Sequence, residues 1–297
     1  MNGSLRNAGI ALALILLPLS HIAVADTDIN ETRAVNADAT VQISNVEGSI
    51  DVSAWENNEV HISGSLGKGV EGLDISGDAS RLKIEVQYPD DDSWHGRKIH
   101  DTDLIVRVPV GVRLIATGVS ADITINGVEG PVRAETVSGE IEIGGSPAEL
   151  NINSVSGDTV ADVDTQKIKY SSVSGDLQLR GLTGEFSGNA VSGDIEVMAD
   201  HVTAFSAETV SGSVELSGTL DKNATLDIKT LSGDIVLYLP ADLSADISFD
   251  TFSGDLYGDF DIPRAKDQDY VKFSVGNGDA QIRLNTFSGS AELNRAR

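Results

Sequence analysis

Seven acids share one place in a recurring tetrapeptide: Asp122, Glu140, Asp158, Asp176, Asp194, Asp234 and Asp255 each follow the small third residue of a Val-Ser-Gly-Asp-like phrase. Ser213 and Ser290 stand at that place in two further copies. A row of carboxylates is a set of hard oxygen donors, the chemistry of a Ca²⁺ site. Stacked one strand apart, neighbours repel by about 1 kcal/mol even in water, and bridging divalent cations would relieve that, as in calcium-binding β-rolls. Those β-rolls repeat about every nine residues. Here the interval is 18. Ser-Gly-Asp is also ordinary turn chemistry: Gly takes a positive φ, Ser or Asp bonds a nearby backbone N–H, and the carboxylates splay into solvent.

Three other constellations could carry chemistry. His95 and His100 lie among five carboxylates in the segment from Asp90 to Asp103. Two imidazoles there could bind Zn²⁺ or Cu²⁺, but their spacing matches no closed site, and a solvated hairpin tip is the commoner explanation of such a segment. Trp94 in the same segment is the large aromatic expected to be exposed, so Trp94, His95 and His100 form a candidate contact loop. Polysaccharide cleavage needs two or three carboxylates, or a carboxylate with Arg or Lys, singled out on one face. Acids here sit on a repeated lattice, and only residues 89–103 and 258–281 break it. The phrase serines have no His nearby, since residues 110–200 contain none, and nine equivalent nucleophiles make no chemical sense. A stacked serine ladder bonding along a coil accounts for them. No catalytic residue and no cofactor are implied.

The elements that would position these residues follow from the spacing. Val137-Ser138-Gly139-Glu140, Val155-Ser156-Gly157-Asp158, Val173-Ser174-Gly175-Asp176 and Val191-Ser192-Gly193-Asp194 recur every 18 residues, after the degraded copy Val119-Ser120-Ala121-Asp122. The interval then relaxes to 19 and 21 through Val210-Ser211-Gly212, Leu231-Ser232-Gly233 and Phe252-Ser253-Gly254, with a last copy at Phe287-Ser288-Gly289. After each phrase comes a short alternating stretch such as Ile141-Glu142-Ile143 or Leu177-Gln178-Leu179, then a Gly, Pro, Asp or Asn turn, then a second such as Leu150-Asn151-Ile152 or Phe205-Ser206-Ala207. Apolar residues two apart mark one buried face of a strand. Each repeat is strand, turn, strand, turn, with no room for a helix. A coil that stacks equivalent strands in parallel about 4.8 Å apart explains the constancy better than an antiparallel meander, because it sets like residue on like.

Residues 26–110 read as diverged rungs plus a cap, which an open solenoid end needs. Leu82–Tyr88 and Leu104–Pro109 are expected to pair across the acidic loop, and Pro263–Asp269 to form an exposed loop. Residues 1–25 carry Arg6, the apolar run Ile10–Leu17 and Ala23-Val24-Ala25, the order of a cleaved secretory signal. The run is shorter than the roughly 20 residues a bilayer span needs, and no later segment replaces it. Removing residues 1–25 takes away one base and no acid, so the net charge of −25 becomes −26. That charge opposes nucleic acid and anionic lipid and favours cations or basic partners. With no Cys, stability must come from burial, for which about 270 residues suffice.

The 18-residue phrase, the early Asn45-Val46-Glu47-Gly48-Ser49-Ile50 and Val108-Pro109-Val110-Gly111-Val112 resemble the bacterial "putative adhesin" family of β-strand-repeat proteins, akin to the head domain named for autotransporter adhesins. The resemblance covers roughly residues 35–295 and implies a β-solenoid exported to the cell envelope. It transfers no catalytic residue. The expectation is an all-β chain: a signal peptide over residues 1–25, diverged rungs and cap over 26–110, and regular repeats over 111–297. The repeats form a right-handed parallel β-solenoid of about 18–21 residues per rung, its handedness taken from the general crossover preference. The expected function is a non-catalytic, periplasmic or surface scaffold whose partner is an envelope protein or glycan. A Ca²⁺-binding repeat module and a polysaccharide-acting β-helix enzyme remain as alternatives.

Overall fold

A computed structural model describes residues 27–89, 100–263 and 269–296, so the signal region, Trp94, His95 and most of the 263–269 loop lie outside the described residues. The chain begins with β1 (Thr27–Ala34), β2 (Thr40–Trp55), β3 (Glu59–Leu66), β4 (Gly72–Gly77), β5 (Arg81–Gln87) and β6 (Thr102–Pro109). The repeats supply β7 (Arg113–Asn126), β8 (Val132–Thr136), β9 (Ile141–Gly145), β10 (Leu150–Ser154), β11 (Thr159–Ser172), β12 (Leu177–Ala190), β13 (Ile195–Thr209), β14 (Val214–Thr230) and β15 (Ile235–Leu239). The last five are β16 (Ala245–Ser253), β17 (Leu256–Gly258), β18 (Tyr270–Val275), β19 (Ala280–Ser288) and β20 (Ala291–Arg295). No described residue is helical.

The repeats stack in parallel, like on like, as a β-solenoid-like coil with two faces. On one face the register runs Leu114, Val132, Leu150, Ile168, Phe186, Phe205, Leu226, in steps of 18, 18, 18, 18, 19 and 21 residues. On the other, Ile123, Ile141, Thr159, Leu177, Ile195, Val214 and Ile235 keep the same steps. The sequence period is therefore the length of one rung. Because β7 and β11 each cross both faces, pairing β7 to β8, β10, β11, β9 and back to β7 closes a five-strand parallel ring.

Alternation buries one side of every strand in a single apolar core between the two faces. Side-chain sizes compensate from rung to rung: Tyr170 registers with Gly188, whose missing side chain leaves room for the Phe186 ring. Phe186 in turn stacks on Phe205, with ring centroids 4.8 Å apart. The Tyr170 hydroxyl donates to the Gly175 carbonyl at 2.7 Å. Burial, with lesser help from the Asp176 and Asp158 carboxylates, pushes its pKa from 10.0 up to about 12. The folded-state pKa lies above the unfolded one, so the contribution is intact below pH 10 and is lost as pH rises towards 12. Urea unfolding should show about 2–3 kcal/mol lost across that window. Tyr170→Phe should flatten that loss, whatever it does to the baseline at pH 8. An equal slope in both proteins would refute the assignment.

The two ends depart from consecutive stacking in the same way. At the N-terminal end β2, first in sequence of the rungs, lies inside the stack: β7 pairs along one side, and β5 and β6 pair end to end along the other. The expected pairing of Leu82–Tyr88 with Leu104–Pro109 is therefore corrected. Both segments seek the free edge of β2, one over each half, instead of each other. At the C-terminal end β19 and β20 slip between β14/β15 and β16/β17, so the last rung in sequence is not the last in space. Antiparallel strands then cover the exposed edges: β4 on β5, β3 on β6, β1 on β3, and β18 on β16. A polar node ties the first cap down. The Tyr88 hydroxyl donates to Asn45 Oδ1 at 2.7 Å, and Asn45 Nδ2 donates to the Thr102 carbonyl at 2.8 Å.

Candidate functional site

The Val-Ser-Gly-Asp phrase is the corner at which the chain leaves one face for the other. It resolves into parallel columns. Just before it stands a buried hydroxyl that the sequence reading missed: Thr136, Ser154, Ser172, Thr209, Thr230, Thr251 and Thr286, with Gly118 and Ala190 as the exceptions. All but Thr251, whose hydroxyl accepts from Thr286, close their own corner. The Gly139, Gly157 and Gly175 N–H groups donate to Thr136, Ser154 and Ser172 at 3.0, 3.0 and 2.8 Å, and Ser154 and Thr286 donate back to the Gly157 and Gly289 carbonyls at 2.7 Å. The signal was available, because these hydroxyls keep the same period and the inward parity of the strand before them.

The phrase serine ties each rung to the one before. The N–H groups of Ser156, Ser174 and Ser192 donate to the carbonyls of Val137, Val155 and Val173 at 2.9, 2.8 and 2.8 Å. Ser156 Oγ adds a second bond to the Val137 carbonyl at 3.1 Å. The sequence suggested a serine ladder bonding along the coil, and the ladder runs mainly through the backbone N–H groups, with the hydroxyls of Ser138 and Ser156 added to it.

The glycine has a different reason from the one expected. None of the phrase glycines has a positive φ. A Cβ on Gly157, Gly175, Gly193 or Gly212 would instead lie 1.8–2.1 Å from the carbonyl oxygen of the preceding phrase glycine. The column of glycines is a close approach of backbone to backbone, and turn conformation does not enter.

All seven ladder acids arrive at this corner, one rung apart from Asp122 to Asp194 and then two rungs apart, with Ser213 and Ser290 between. Asp122, Asp158, Asp176, Asp194 and Asp234 each turn Oδ1 onto the N–H of the next rung's equivalent residue: Glu140, Asp176, Asp194, Ser213 and Ser290, at 2.7–3.0 Å. Each carboxylate thus caps a backbone donor that the corner leaves over, which offsets part of the repulsion along the row. Among the described residues no three His, Asp or Glu side chains converge on a metal-sized site. His100 is exposed, and its N–H donates to the Lys68 carbonyl at 3.1 Å.

On the strands just past the corner, beside the acid ladder, Glu196 and Glu215 lie side by side in register. Burial, then the neighbouring Glu196 charge, holds the Glu215 carboxyl above the usual range. A shallow polar cleft there also takes in Tyr238, Asp259, Glu292 and Arg295.

This corner-on-corner stack accounts for almost the whole chain, and the Toastrack DUF4097 family model matches over the same extent, residues 36–294. The chain belongs to the Toastrack DUF4097 family. The family expected from the phrase is therefore shown. Similar solved structures include a "putative adhesin" from Parabacteroides merdae at 11% identity, covering 92% of this chain and 100% of that one, with a TM-score of 0.47. A second "putative adhesin", from Bacteroides fragilis, is 12% identical and covers 91% and 98%, with a TM-score of 0.40. A protein from Parabacteroides distasonis described as a "putative lipid binding protein" is 15% identical and covers 90% and 97%, with a TM-score of 0.39. Likenesses this distant carry no argument about ligand. No curated protein matches the chain.

The remaining column of the Toastrack corner points outward. Val137, Val155, Val173 and Val191 continue through Val210 and Leu231, each 43–48% exposed. The column ends at Phe287 and Phe252, which stack with centroids 4.9 Å apart and are 53% and 73% exposed. Strand parity again could have revealed it, since the residue after an inward hydroxyl must face out.

Proposed function

We propose that this Toastrack chain is a non-catalytic, adhesin-like scaffold exported to the cell envelope, where it holds a long, rigid β surface towards an envelope protein or glycan. The reading includes cleavage of a signal near Ala25, a cap over residues 26–110 ahead of regular repeats over 111–297, a right-handed coil, and a periplasmic or surface location. Among the described residues no helix is long and apolar enough to cross a membrane. The supporting observation is how the corner spends its chemistry. Its serine backbone N–H groups and most of its carboxylates bond one rung to the next, so the phrase stiffens the rod. What they leave outward is a regular surface suited to contact.

The test is capture from envelope extract on the immobilised mature chain, run beside calcium titration and a reducing-end assay on envelope glycans. The expected result is retention of a defined protein or glycan, with an unchanged melting midpoint in millimolar Ca²⁺ and no new reducing ends. A midpoint raised by several degrees would make the acid ladder a cation module. Release of reducing ends would make the chain an enzyme. Either outcome, or failure to retain anything, overturns the scaffold reading.

A further inference from the structure

The apolar corner column does nothing for the fold that a polar residue could not do. The rung-to-rung bonds at the column use the backbone carbonyl of each valine, and the side chain faces away from the core. Single exposed apolar residues are unremarkable, but an unbroken strip of them marks a contact surface. From Val119 to Phe252 the strip spans nine rung positions, or about 38 Å at the spacing of paired strands.

Its flanks say what fits. The acid ladder runs parallel to it on one side, with only the serine column between. On the other side stand Glu135, paired with Arg133, then the neutral Asn153, Ser171 and Asn189, then Glu208, which accepts from Lys229 at 2.8 Å. The ladder side is therefore the negative border and the other is close to neutral, on a chain whose net charge is −25. A second copy would bring the same large negative charge, and an anionic bilayer or nucleic acid would be repelled. An added β-strand is excluded differently: the backbone groups along the column are already bonded within the stack, leaving no free edge to extend. What remains is recognition by side chains alone. At the C-terminal half the column forms the floor of a shallow groove lined by Ala190, Thr209, Val210, Thr230 and Leu231.

We infer that this corner is a docking strip for a cationic amphipathic helix of a partner protein, its apolar spine on the valine and phenylalanine column and its Lys or Arg side chains over the bordering carboxylates. A 38 Å strip matches about 25 helical residues. The inference rests on the scaffold reading and names its partner's chemistry.

The test uses the mature chain and two synthetic 20-residue helical peptides with the same leucine spine, one flanked by lysines and one by glutamates. Fluorescence anisotropy should show micromolar binding of the lysine peptide, weakening with salt, and at least tenfold weaker binding of the glutamate peptide. In the triple variant Val155→Thr, Val173→Thr, Val191→Thr, affinity for the lysine peptide should fall at least tenfold while the melting midpoint holds. Phe252→Ser with Phe287→Ser tests the far end in the same way should the triple variant fold poorly. Unchanged affinity in both variants would reduce the effect to bulk charge and overturn the inference, as would concentration-dependent dimerisation abolished by the valine changes. If envelope capture survives the valine and phenylalanine changes, the scaffold stands and only this strip is wrong. If capture fails with the unaltered chain, the scaffold reading itself falls.

Discussion

Gly175→Ala should destabilise the protein by about 3 kcal/mol or more in urea unfolding, although it adds a single methyl group. The new Cβ would stand 2.1 Å from the Gly157 carbonyl oxygen and 3.2 Å from Ser172 Oγ. The first is backbone and has no rotamer to escape to. Pushing it away opens the corner bond from the Gly175 N–H to Ser172 Oγ, now 2.8 Å long, and tilts the rung above, where Gly193 rests just as closely on the Gly175 carbonyl. The size of the loss separates two explanations of this glycine. Had it served only to supply a positive φ, alanine would cost about 1 kcal/mol. A measured loss near that figure would contradict the backbone contact described above.

The second large effect concerns the C-terminal rung. A chain ended at Asp279 should lose protection over the whole segment from Ala245 to Val275, read by hydrogen exchange and limited proteolysis, with amides there approaching free exchange. In a coil stacked in chain order, removing the last rung merely exposes the one before it. Here, among the described residues, the removed strands β19 and β20 are the only ladder joining β16 and β17 to β14 and β15. Ile282, Leu284, Ala291 and Leu293 leave the core with them. The segment behind loses its attachment, and two unpaired edges face water, an invitation to aggregation. Undiminished protection over β16 and β18 would show that the last rung is not interposed.

Much of the fold was legible because the chain states its period. Ile123, Ile141 and Leu177 recur at one place in the repeat, and equal rung lengths leave parallel stacking as the arrangement that sets them over one another. The exchange of order at the ends was not legible, for a physical reason. Phe287-Ser288-Gly289 carries the same donors, acceptors and apolar parity as Leu231-Ser232-Gly233 and Phe252-Ser253-Gly254, so it can pair with either, and it pairs with both. A repeat that makes its rungs alike erases the local information that would fix their sequence in space. The corner was half legible. The acid column was expected and is there, but its bonding partner is a backbone N–H one rung away, which residue types do not reveal. The outward valines and inward hydroxyls were open to a parity count along each strand, hidden because the phrase reads as a turn.

The identical 18-residue step from β7 through β12 makes the middle of this molecule adjustable in length. A duplicated or deleted unit there keeps the rung length and the backbone bonding of its neighbours, and asks only that core side-chain sizes be rematched, as Tyr170 is to Gly188, while both interlocked ends stay untouched. Each unit alters the reach of the rod by about 4.8 Å. Selection can thus tune the distance between whatever the two ends engage without redesigning either, as one adds links to a chain between fixed clasps.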